Sequence, residues 1–520
     1  MKKLPIGIQN LREIIEDKYI YIDKTEEAYQ LVSNYKYVFL SRPRRFGKSL
    51  FVDTLKELFE GNKKLFEGLY IYDKWNWDEK YPVIKISWAG DLTTLERVED
   101  RAIDIFKTNQ RLLGIECQNI NNPSSCFNEL IQKAYEKYNQ KVVILIDEYD
   151  KPILDVIENV EQAKINRGFL RSLYSIIKDN DAYIRFAFLT GVSKFSKASI
   201  FSGLNMLTDI SLNPKYGNIC GYTQRDIETS FKDYFVDVDM ESVKRWYNGY
   251  NFLKDNVYNP FDILQFISNG LVFDNYWFET GTPSFLIKLL KERRYFLPNF
   301  SNIVVDKKLL SSFDVENIDL EVILFQSGYL TIEKVIQTPR SIGYKLKIPN
   351  LEVQISLNDY ILRYLFNYRE SNDIQNQSYD AFYNGDLDVI RDNLTTLFSS
   401  IPYTNYTNNE LKLYEGFYAS VVYAYLVSLG VDLINEDVTN KGRIDLTVFA
   451  SDKIYIIEFK VDGVKGEALS QIKHKNYAQK YLDMGKDIYL VGIEFSSSER
   501  NIVNFEWEKL ERWNVKTLER

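Results

Sequence analysis

The chain has 520 residues, 45% of them hydrophobic and 27% charged, which is enough to build several globular domains with large cores. Its single histidine, His474, excludes metal sites made of several histidines and restricts any Ser-His-Asp triad to that one residue. Its three cysteines lack C-x-x-C spacing, which argues against both a zinc site and a disulfide framework. Chemistry therefore has to rest on carboxylates, lysines, arginines and hydroxyls.

Charge and hydropathy favour a cytoplasmic protein with no membrane partner. The first residues are charged and lack the apolar core of a signal peptide. The longest apolar run without charges, 416–431, is shorter than the roughly 20 residues that cross a bilayer. The sparse, unpatterned cysteines are typical of a reducing compartment. A net charge of −8 does not by itself indicate nucleic-acid binding.

A phosphate-binding loop is the first chemical motif in the chain. Residues 4–33 contain a strand-like patch and an amphipathic helix that require no chemistry. The apolar run 37–40 then predicts a buried strand, and a loop ending in Gly47, Lys48 and Ser49 leads into a helical pattern. Backbone N–H groups at such a helix start bind phosphates, the lysine reaches the β- and γ-phosphates, and the hydroxyl is a ligand of Mg²⁺. Arg42 stands where the Walker A pattern has its first glycine, so an ordinary surface loop remains the alternative.

Two further apolar runs fit the same kind of domain. After Lys141, residues 142–146 form a continuous apolar run that leads into Asp147 and Glu148. This is the Walker B pattern, in which the aspartate holds Mg²⁺ through water and the glutamate polarises the attacking water. The alternative is a buried strand that merely ends in a polar loop. A third run, 184–193, ends in hydroxyls and predicts that Thr190 or Ser193 lies near the γ-phosphate. Strands separated by helical stretches predict a doubly wound α/β sheet.

The middle of the chain, from about 195 to 375, has a different character. Most of it predicts helices joined by aromatic turns, and we interpret its aromatic residues as core rather than as a surface that stacks on bases. The segments 324–332 and 343–350 predict strands. The polar stretch 370–378 has no apolar periodicity and is the best candidate for a linker.

A β-hairpin carries the second chemical motif. Residues 442–449 and 454–461 alternate polar with apolar, and a turn at Ser451 and Asp452 would place Asp445 opposite Glu458. The same register would place Ile444 opposite Phe459 on an apolar face. Lys460 follows Glu458 on its polar face. Two carboxylates beside an ammonium can hold a hard divalent cation and a water, although a solvated cross-strand charge cluster is the alternative.

The flanking elements complete a recognisable order. The segment 409–429 predicts a helix with Glu415 in its first turns, 466–484 a helix with Gln471 and Tyr477, and 487–495 a strand. This order resembles the core of the PD-(D/E)XK nuclease superfamily. The phrases RPRRFGKS and GRIDLTV with IIEFKV resemble a large bacterial family in which an AAA-ATPase-like domain precedes such a nuclease domain. The resemblance covers nearly the whole chain.

The resemblance implies an α/β architecture in three parts. These are a P-loop NTPase domain with a doubly wound sheet at 1–215, a mainly helical lid or middle region at 216–375, and an α/β restriction-endonuclease-like domain at 376–520.

The resemblance also implies roles for individual residues. Asp445 and Glu458 bind Mg²⁺ or Mn²⁺, and Lys460 positions or deprotonates a water. Glu415 matches an additional acid and Gln471 a glutamine of the superfamily, whereas Ile444 replaces its proline. In the loop that ends in Gly47, Arg44 and Arg45 add positive charge near the phosphates.

The function implied is an ATP-binding protein, expected to be an ATPase, coupled to a metal-dependent nuclease that acts on the phosphodiester bonds of nucleic acid, with DNA expected before RNA. The alternative is a nucleotide-dependent switch or scaffold whose nuclease-like domain only binds nucleic acid or a partner. Whether ATP is hydrolysed or only bound, and whether the subunits form a homo-oligomer, stays open at this stage.

Overall fold

The computed structural model describes residues 1–195, 206–277, 303–310, 316, 318–337, 339, 341–365, 372–401 and 415–510. The described residues of 1–281 and 302–350 form one compact unit, and those from Leu351 onward form a second. Within the described part of the chain, no helix is long and apolar enough to cross a membrane.

Among its described residues, the first unit contains twelve α-helices and eleven strands. Its helices are α1 (Leu11–Glu16), α2 (Thr25–Asn34), α3 (Lys48–Phe59), α4 (Leu95–Leu113), α5 (Pro123–Tyr138), α6 (Lys151–Leu154), α7 (Val160–Asp179), α8 (Gln224–Ser230), α9 (Met240–Tyr247), α10 (Pro260–Ser268), α11 (Lys307–Leu310) and α12 (Leu320–Ser327). Its strands are β1 (Tyr37–Ser41), β2 (Val83–Ser87), β3 (Val142–Asp147), β4 (Ile184–Gly191), β5 (Thr208–Asp209), β6 (Tyr222–Thr223), β7 (Tyr250–Asn251), β8 (Asn256–Tyr258), β9 (Val304–Asp306), β10 (Thr331–Gln337) and β11 (Ile342–Lys347).

The main sheet of this unit is parallel and confirms the predicted α/β class. Its order is β2-β3-β4-β1-β5, and every pair in it runs parallel. All six residues of β3 are buried, which explains why a strand covered on both faces reads as a continuous apolar run. The carboxyl ends of β1, β3 and β4 are neighbours at one edge of the sheet, so the loops that follow them meet there.

Short sheets and helices make up the remainder of the first unit. Strands β6, β8 and β7 form one small antiparallel sheet, and β10, β11 and β9 form another. The strand predicted for 324–332 is wrong in its first half, because α12 extends to Ser327 and the strand begins at Thr331. Of the aromatic residues of the middle region interpreted as core, Tyr247, Tyr250 and Trp277 are buried, and Trp246 is half-buried against a core cluster.

The second unit is a mixed sheet flanked by helices. Its helices are α13 (Leu351–Leu365), α14 (Asn372–Asn384), α15 (Leu387–Ser400), α16 (Glu415–Ser428) and α17 (Glu467–Lys475). Its strands are β12 (Asp432–Thr439), β13 (Gly442–Ala450), β14 (Lys453–Val461), β15 (Asp487–Ser496) and β16 (Asn501–Lys509), and they lie in this order in the sheet. Only β14 and β15 are parallel, and α17 lies in the connection between them.

The predicted hairpin register is confirmed where the strands pair. The β13–β14 ladder runs from Leu446 opposite Ile457 to Ala450 opposite Lys453, with the turn at Ser451 and Asp452. The expectation for Ile444 fails, because this residue packs with Ile454 and Ile456 rather than on the opposite face. Beyond Leu446 the regular ladder gives way to a side-chain contact, described below.

The linker predicted at 370–378 is wrong in its described part. Residues from Asn372 onward belong to α14, and Ser378 is buried within the second unit. The hydroxyls of Ser378 and Tyr425 lie 2.6 Å apart in a hydrogen bond, and Asn393 Nδ2 donates to Ser378 Oγ at 2.7 Å. These polar residues are hydrogen-bonded inside the fold, which local composition could not reveal.

The expectation that the cysteines stay unpaired is also wrong. Cys117 and Cys126, nine residues apart, form a disulfide, and Cys220 is a buried free thiol. The two partners sit in the connection between α4 and α5 and at the first turns of α5, so the fold brings together residues whose spacing carries no motif.

Gly492 of β15 should be intolerant of any side chain, because α17 packs directly on it. A Cβ there would lie 2.5 Å from the backbone nitrogen of Leu469. We expect Gly492→Ala to lower the free energy of unfolding by roughly 1–3 kcal/mol, since α17 would have to move. The matched control is Gly168→Ala in α7, where a Cβ meets nothing within 4 Å and should be neutral or stabilising. Equal stability of Gly492→Ala and wild type in chemical denaturation would contradict this packing.

Candidate nucleotide site and candidate metal centre

The loop between β1 and α3 surrounds the predicted lysine with backbone oxygens. Lys48 begins α3 and is 8% exposed. Its Nζ donates to the carbonyl oxygens of Arg42 at 3.0 Å and Pro43 at 2.8 Å. Burial lowers the pKa of Lys48, while the negative charges of Asp147, Asp150 and Glu148 act against this shift. The loop reaches this shape through left-handed backbone at Arg45 (φ 68°) and Gly47 (φ 90°).

Arg42 is a structural residue of this loop. Its guanidinium is 1% exposed, and its NH1 group donates at 2.8 Å to the carbonyls of Ser41 and Ser211. Its NH2 group donates to the Tyr216 carbonyl at 3.1 Å, and its Cζ lies 4.0 Å from the centre of the Phe252 ring. Burial lowers the Arg42 pKa to about 10. Arg42, which stands where the Walker A pattern has its first glycine, therefore links the loop by hydrogen bonds to Ser211 and Tyr216, which follow β5.

Three acidic residues, Asp147, Glu148 and Asp150, lie at the carboxyl end of β3, at the same edge of the sheet. Asp147 is buried, and its Oδ1 accepts the backbone N–H of Glu148 at 3.0 Å. Glu148 has left-handed backbone (φ 54°), a costly conformation for a residue with a side chain. Burial raises the Glu148 pKa, and the charge of Asp147 raises it further. Asp150 is buried, with its Oδ2 accepting the backbone N–H of Val192 at 3.0 Å and of Ser193 at 2.5 Å.

The two predicted hydroxyl residues lie at the end of β4. Thr190 is fully buried, and its Oγ1 has no hydrogen-bond partner among the residues the structure describes. Ser193 is also buried, and its carbonyl accepts the Tyr149 hydroxyl at 3.0 Å. Both residues lie close to the acids that follow β3, because the backbone N–H of Tyr149 donates to the Thr190 carbonyl at 3.1 Å.

A cavity of about 560 Å³ opens at this loop and fits a small-molecule ligand. The predicted residues on its wall are Arg44, Arg45, Gly47, Lys48, Ser49 and Glu148. Asp150 and Lys151 also line it. The remaining predicted residues, Asp147, Thr190 and Ser193, are buried and are not among the residues that line the cavity.

Sequence reasoning assigned no role to several residues on this wall. The segments 5–9 and 20–22 contribute to it, although the N-terminal sequence contains no motif that predicts chemistry. Asp150 was likewise unassigned, and its position only two residues from Glu148 was the available signal.

In the second unit, Glu458 and Lys460 of β14 meet Gln471 of α17. Glu458 is 2% exposed, and its Oε1 accepts a hydrogen bond from Gln471 Nε2. Lys460 Nζ lies 3.9 Å from the same Glu458 oxygen. A carboxylate this deeply buried needs positive charge or hydrogen-bond donors nearby, and Lys460 and Gln471 supply one of each.

Asp445 lies beside this group through a contact that replaces the β ladder. Its Oδ2 accepts the backbone N–H of Phe459, the residue between Glu458 and Lys460, at 2.8 Å. Tyr477, which follows α17, donates its hydroxyl to the Arg443 carbonyl at 3.0 Å. Burial raises the Tyr477 pKa, and the negative charges of Glu458 and Asp445 raise it further. Four residues predicted to share a site, Asp445, Glu458, Lys460 and Gln471, are therefore neighbours.

The donor set fits a hard divalent cation. Asp445 and Glu458 offer carboxylate oxygens, the ligands that Mg²⁺ and Mn²⁺ prefer. Among the described residues, no group of three or more His, Cys, Asp or Glu side chains could hold a metal. Two carboxylates suffice for Mg²⁺, whose other ligands are commonly waters and substrate phosphates. Glu415 is the first residue of α16, and its side chain lies outside the described part of the structure.

Comparison with known proteins agrees with this division of the chain. Residues 5–201 match a family described as a predicted AAA-ATPase, and residues 413–505 match the PD-(D/E)XK nuclease superfamily. The chain is 46% identical over 514 residues to the "Uncharacterized protein in vnfD 5'region" of Azotobacter chroococcum mcd 1. That alignment covers 98% of this chain and 99% of the relative. The resemblance inferred from the sequence is thus confirmed.

Replacing Arg42 by the glycine of the Walker A pattern should weaken the fold. Arg42→Gly leaves the buried carbonyls of Ser41, Ser211 and Tyr216 without their donor, at a cost of about 2 kcal/mol or more in unfolding free energy. Arg44→Gly, on the exposed side of the same loop, shares the added backbone entropy and serves as the control. In denaturant titration, the unfolding free energy of Arg42→Gly should be well below that of Arg44→Gly. Equal unfolding free energies would refute the structural role of Arg42.

Asp150 should make the stability of the first unit depend on pH. Burial raises its carboxyl pKa from 3.8 to about 6, so the folded state binds the proton more tightly than the unfolded chain. The stabilisation is therefore full below about pH 3.8 and is lost as the pH rises through about 6. Asp150→Asn removes this titration and keeps an oxygen that can accept the two backbone N–H groups.

The measurement is the thermal unfolding temperature between about pH 4 and pH 7. From about pH 4 to about pH 7, wild type should lose roughly 1–3 kcal/mol more unfolding free energy than Asp150→Asn, so its unfolding temperature should fall relative to that of the variant. The exposed Asp179→Asn variant controls for an unspecific change of charge and should follow the wild-type profile. Parallel profiles for wild type and Asp150→Asn would refute the assignment.

Proposed function

Because this chain belongs to one family with the Azotobacter protein and carries a predicted AAA-ATPase domain followed by a PD-(D/E)XK nuclease superfamily domain, we propose that it is a metal-dependent nuclease controlled by ATP. Its substrate is the phosphodiester bond of nucleic acid, with DNA expected before RNA. ATP binding, with hydrolysis, takes place in the first unit and cleavage in the second.

The observation that carries the nuclease proposal is the surroundings of Glu458. The Glu458 carboxylate is 2% exposed and lies beside Lys460 and Gln471. Asp445 is held next to it, because its Oδ2 accepts the backbone N–H of Phe459, the residue after Glu458. Burying a carboxylate costs stability, and buried acids with charged partners are common at functional sites. This grouping therefore favours a site over an ordinary surface charge cluster. The Ile444 and Leu446 side chains that flank Asp445 are buried and keep the strand in place.

Each residue has a role in the proposed reaction. Asp445 and Glu458 would hold Mg²⁺ or Mn²⁺, which when bound stabilises the charge of the phosphate and lowers the pKa of a water. The Lys460 ammonium orients the attacking water and balances the negative charge of the two acids. The Gln471 amide holds the Glu458 carboxylate in place, because its Nε2 donates to Oε1.

The nucleotide proposal rests on the loop that begins α3. Lys48 is held by two loop carbonyls, and its ammonium can transfer these bonds to the β- and γ-phosphates of ATP without moving the helix. Ser49 and Asp147 would hold Mg²⁺, and Glu148 would polarise the attacking water. Arg44 and Arg45 are exposed on the same loop and add positive charge where phosphates bind.

The test is cleavage of single- and double-stranded DNA and RNA by the full chain, with Mg²⁺ or Mn²⁺, in the presence and absence of ATP. Glu458→Gln preserves the shape of the side chain but removes the charge, and it should reduce cleavage at least 100-fold. Asp452→Asn, in the exposed turn of the same hairpin, should cleave as wild type does. Lys48→Ala should bind no ATP, and its cleavage should no longer respond to ATP.

Two outcomes would overturn the proposal. Full cleavage by Glu458→Gln would place the catalyst elsewhere. Absence of metal-dependent cleavage on every substrate, with ATP still bound, would instead favour a nucleotide-dependent switch or scaffold.

A further inference from the structure

The cavity beside Lys48 continues well beyond the space that phosphates need. Besides the residues of the loop, its walls include the side chains of Ile8, Ile20, Ile22, Tyr222 and Leu264. Aromatic rings stack on a nucleobase, and branched apolar side chains pack against its faces. The cavity therefore offers a charged loop to the phosphates of a nucleotide and apolar side chains to its base.

The N-terminal segment is fixed firmly enough to form a specific wall. The backbone N–H of Leu11, at the start of α1, donates to Asp53 Oδ2 on α3 at 2.9 Å in a buried hydrogen bond. Further along, Lys24 Nζ lies 3.3 Å from Asp226 Oδ2 at the start of α8. The residues between these two anchors are thus held between the helix that carries Lys48 and the helices that follow β6.

The part of the wall that α10 forms is joined to the phosphate loop itself. The Arg45 guanidinium lies over the Phe261 ring, with 4.7 Å between Cζ and the ring centre. Asn259, which caps α10, donates its Nδ2 to the Arg44 carbonyl at 3.5 Å. A ligand that contacts this wall is therefore in contact with the same element that holds the phosphates.

The chemistry of the polar side chains on the walls distinguishes one base from another. The carboxylates that line the cavity, Glu148 and Asp150, both lie at the phosphate end near Lys48. Guanine presents two adjacent N–H donors, which a carboxylate matches best. Adenine presents a donor beside an acceptor, and a side-chain amide matches that pair.

Gln9 is the amide on the cavity wall. It lies two residues before Leu11, whose backbone is anchored on α3. Its side chain is exposed and makes no hydrogen bond to another residue in the described part of the chain. It can therefore present both its oxygen and its nitrogen to a ligand.

We propose that Gln9 is a specificity-determining residue that reads the adenine edge of the bound nucleotide. The inference rests on the nucleotide site proposed above and adds the base, the wall that contacts it and the residue that selects it. It also assigns a purpose to the N-terminal segment, which forms one side of the binding compartment.

The experiment compares the affinity of wild type and Gln9→Glu for a fluorescent ATP analogue, with unlabelled ATP and GTP as competitors. Wild type should prefer ATP. Glutamate cannot donate to the adenine acceptor but can accept both guanine N–H groups, so Gln9→Glu should reduce the ratio of ATP to GTP affinity by roughly five- to hundredfold. Gln9→Ala should lower ATP affinity with no gain for GTP.

The controls separate this inference from the proposed function. Gln30→Glu, on α2 and away from the cavity, makes the same chemical change and should leave both affinities unchanged. If wild type binds ATP but Gln9→Glu keeps the wild-type ratio, the role of Gln9 is refuted and the nucleotide site stands. If wild type binds no nucleotide and Lys48→Ala behaves identically, the nucleotide site itself is refuted.

Discussion

Ionisable side chains held out of water are the constraint on which both units depend. Arg42, Lys48 and Asp150 are buried around one loop, and each is held by backbone groups: the two cations by carbonyl oxygens, the acid by N–H groups. A buried charge is tolerated only with such partners, so the loop after β1, the loop after β3 and the end of β4 have to keep one arrangement. The loop geometry that can bind phosphates is the same geometry that stabilises these buried charges in the folded state.

The second unit meets the same constraint with a helix packed closely on its sheet. Glu494 of β15 is buried and accepts the backbone N–H of Ala468 at the start of α17, at 3.0 Å. Glu494 lies two residues after Gly492, the pairing partner of Glu458, and its contact with Ala468 fixes where α17 begins. With α17 in place, Gln471 reaches Glu458. The candidate metal centre thus depends on a glycine and on a buried acid that take no part in its chemistry.

Much of the local structure could be predicted, because periodicity and loop chemistry act over short distances. The strand, loop and helix around Lys48 follow from an apolar run and a glycine, and the hairpin register follows from the alternation that pairs Leu446 with Ile457. Predictions failed where packing decides. Polar residues at 372–378 are helical because Ser378 bonds to Tyr425 and Asn393, and Cys117 meets Cys126 although their spacing signals nothing.

The sequence by itself determined which residue types stand at the two sites and on which elements, since those depend on neighbours along the chain. Only the tertiary structure decided that Arg42 is a buried support, that Asp150 belongs with the phosphate loop, and that the N-terminal segment forms a wall of the cavity. Lys24 and Asp226, for example, are 202 residues apart. Contacts of this kind come from burial and hydrogen bonding between distant segments, and no local pattern records them.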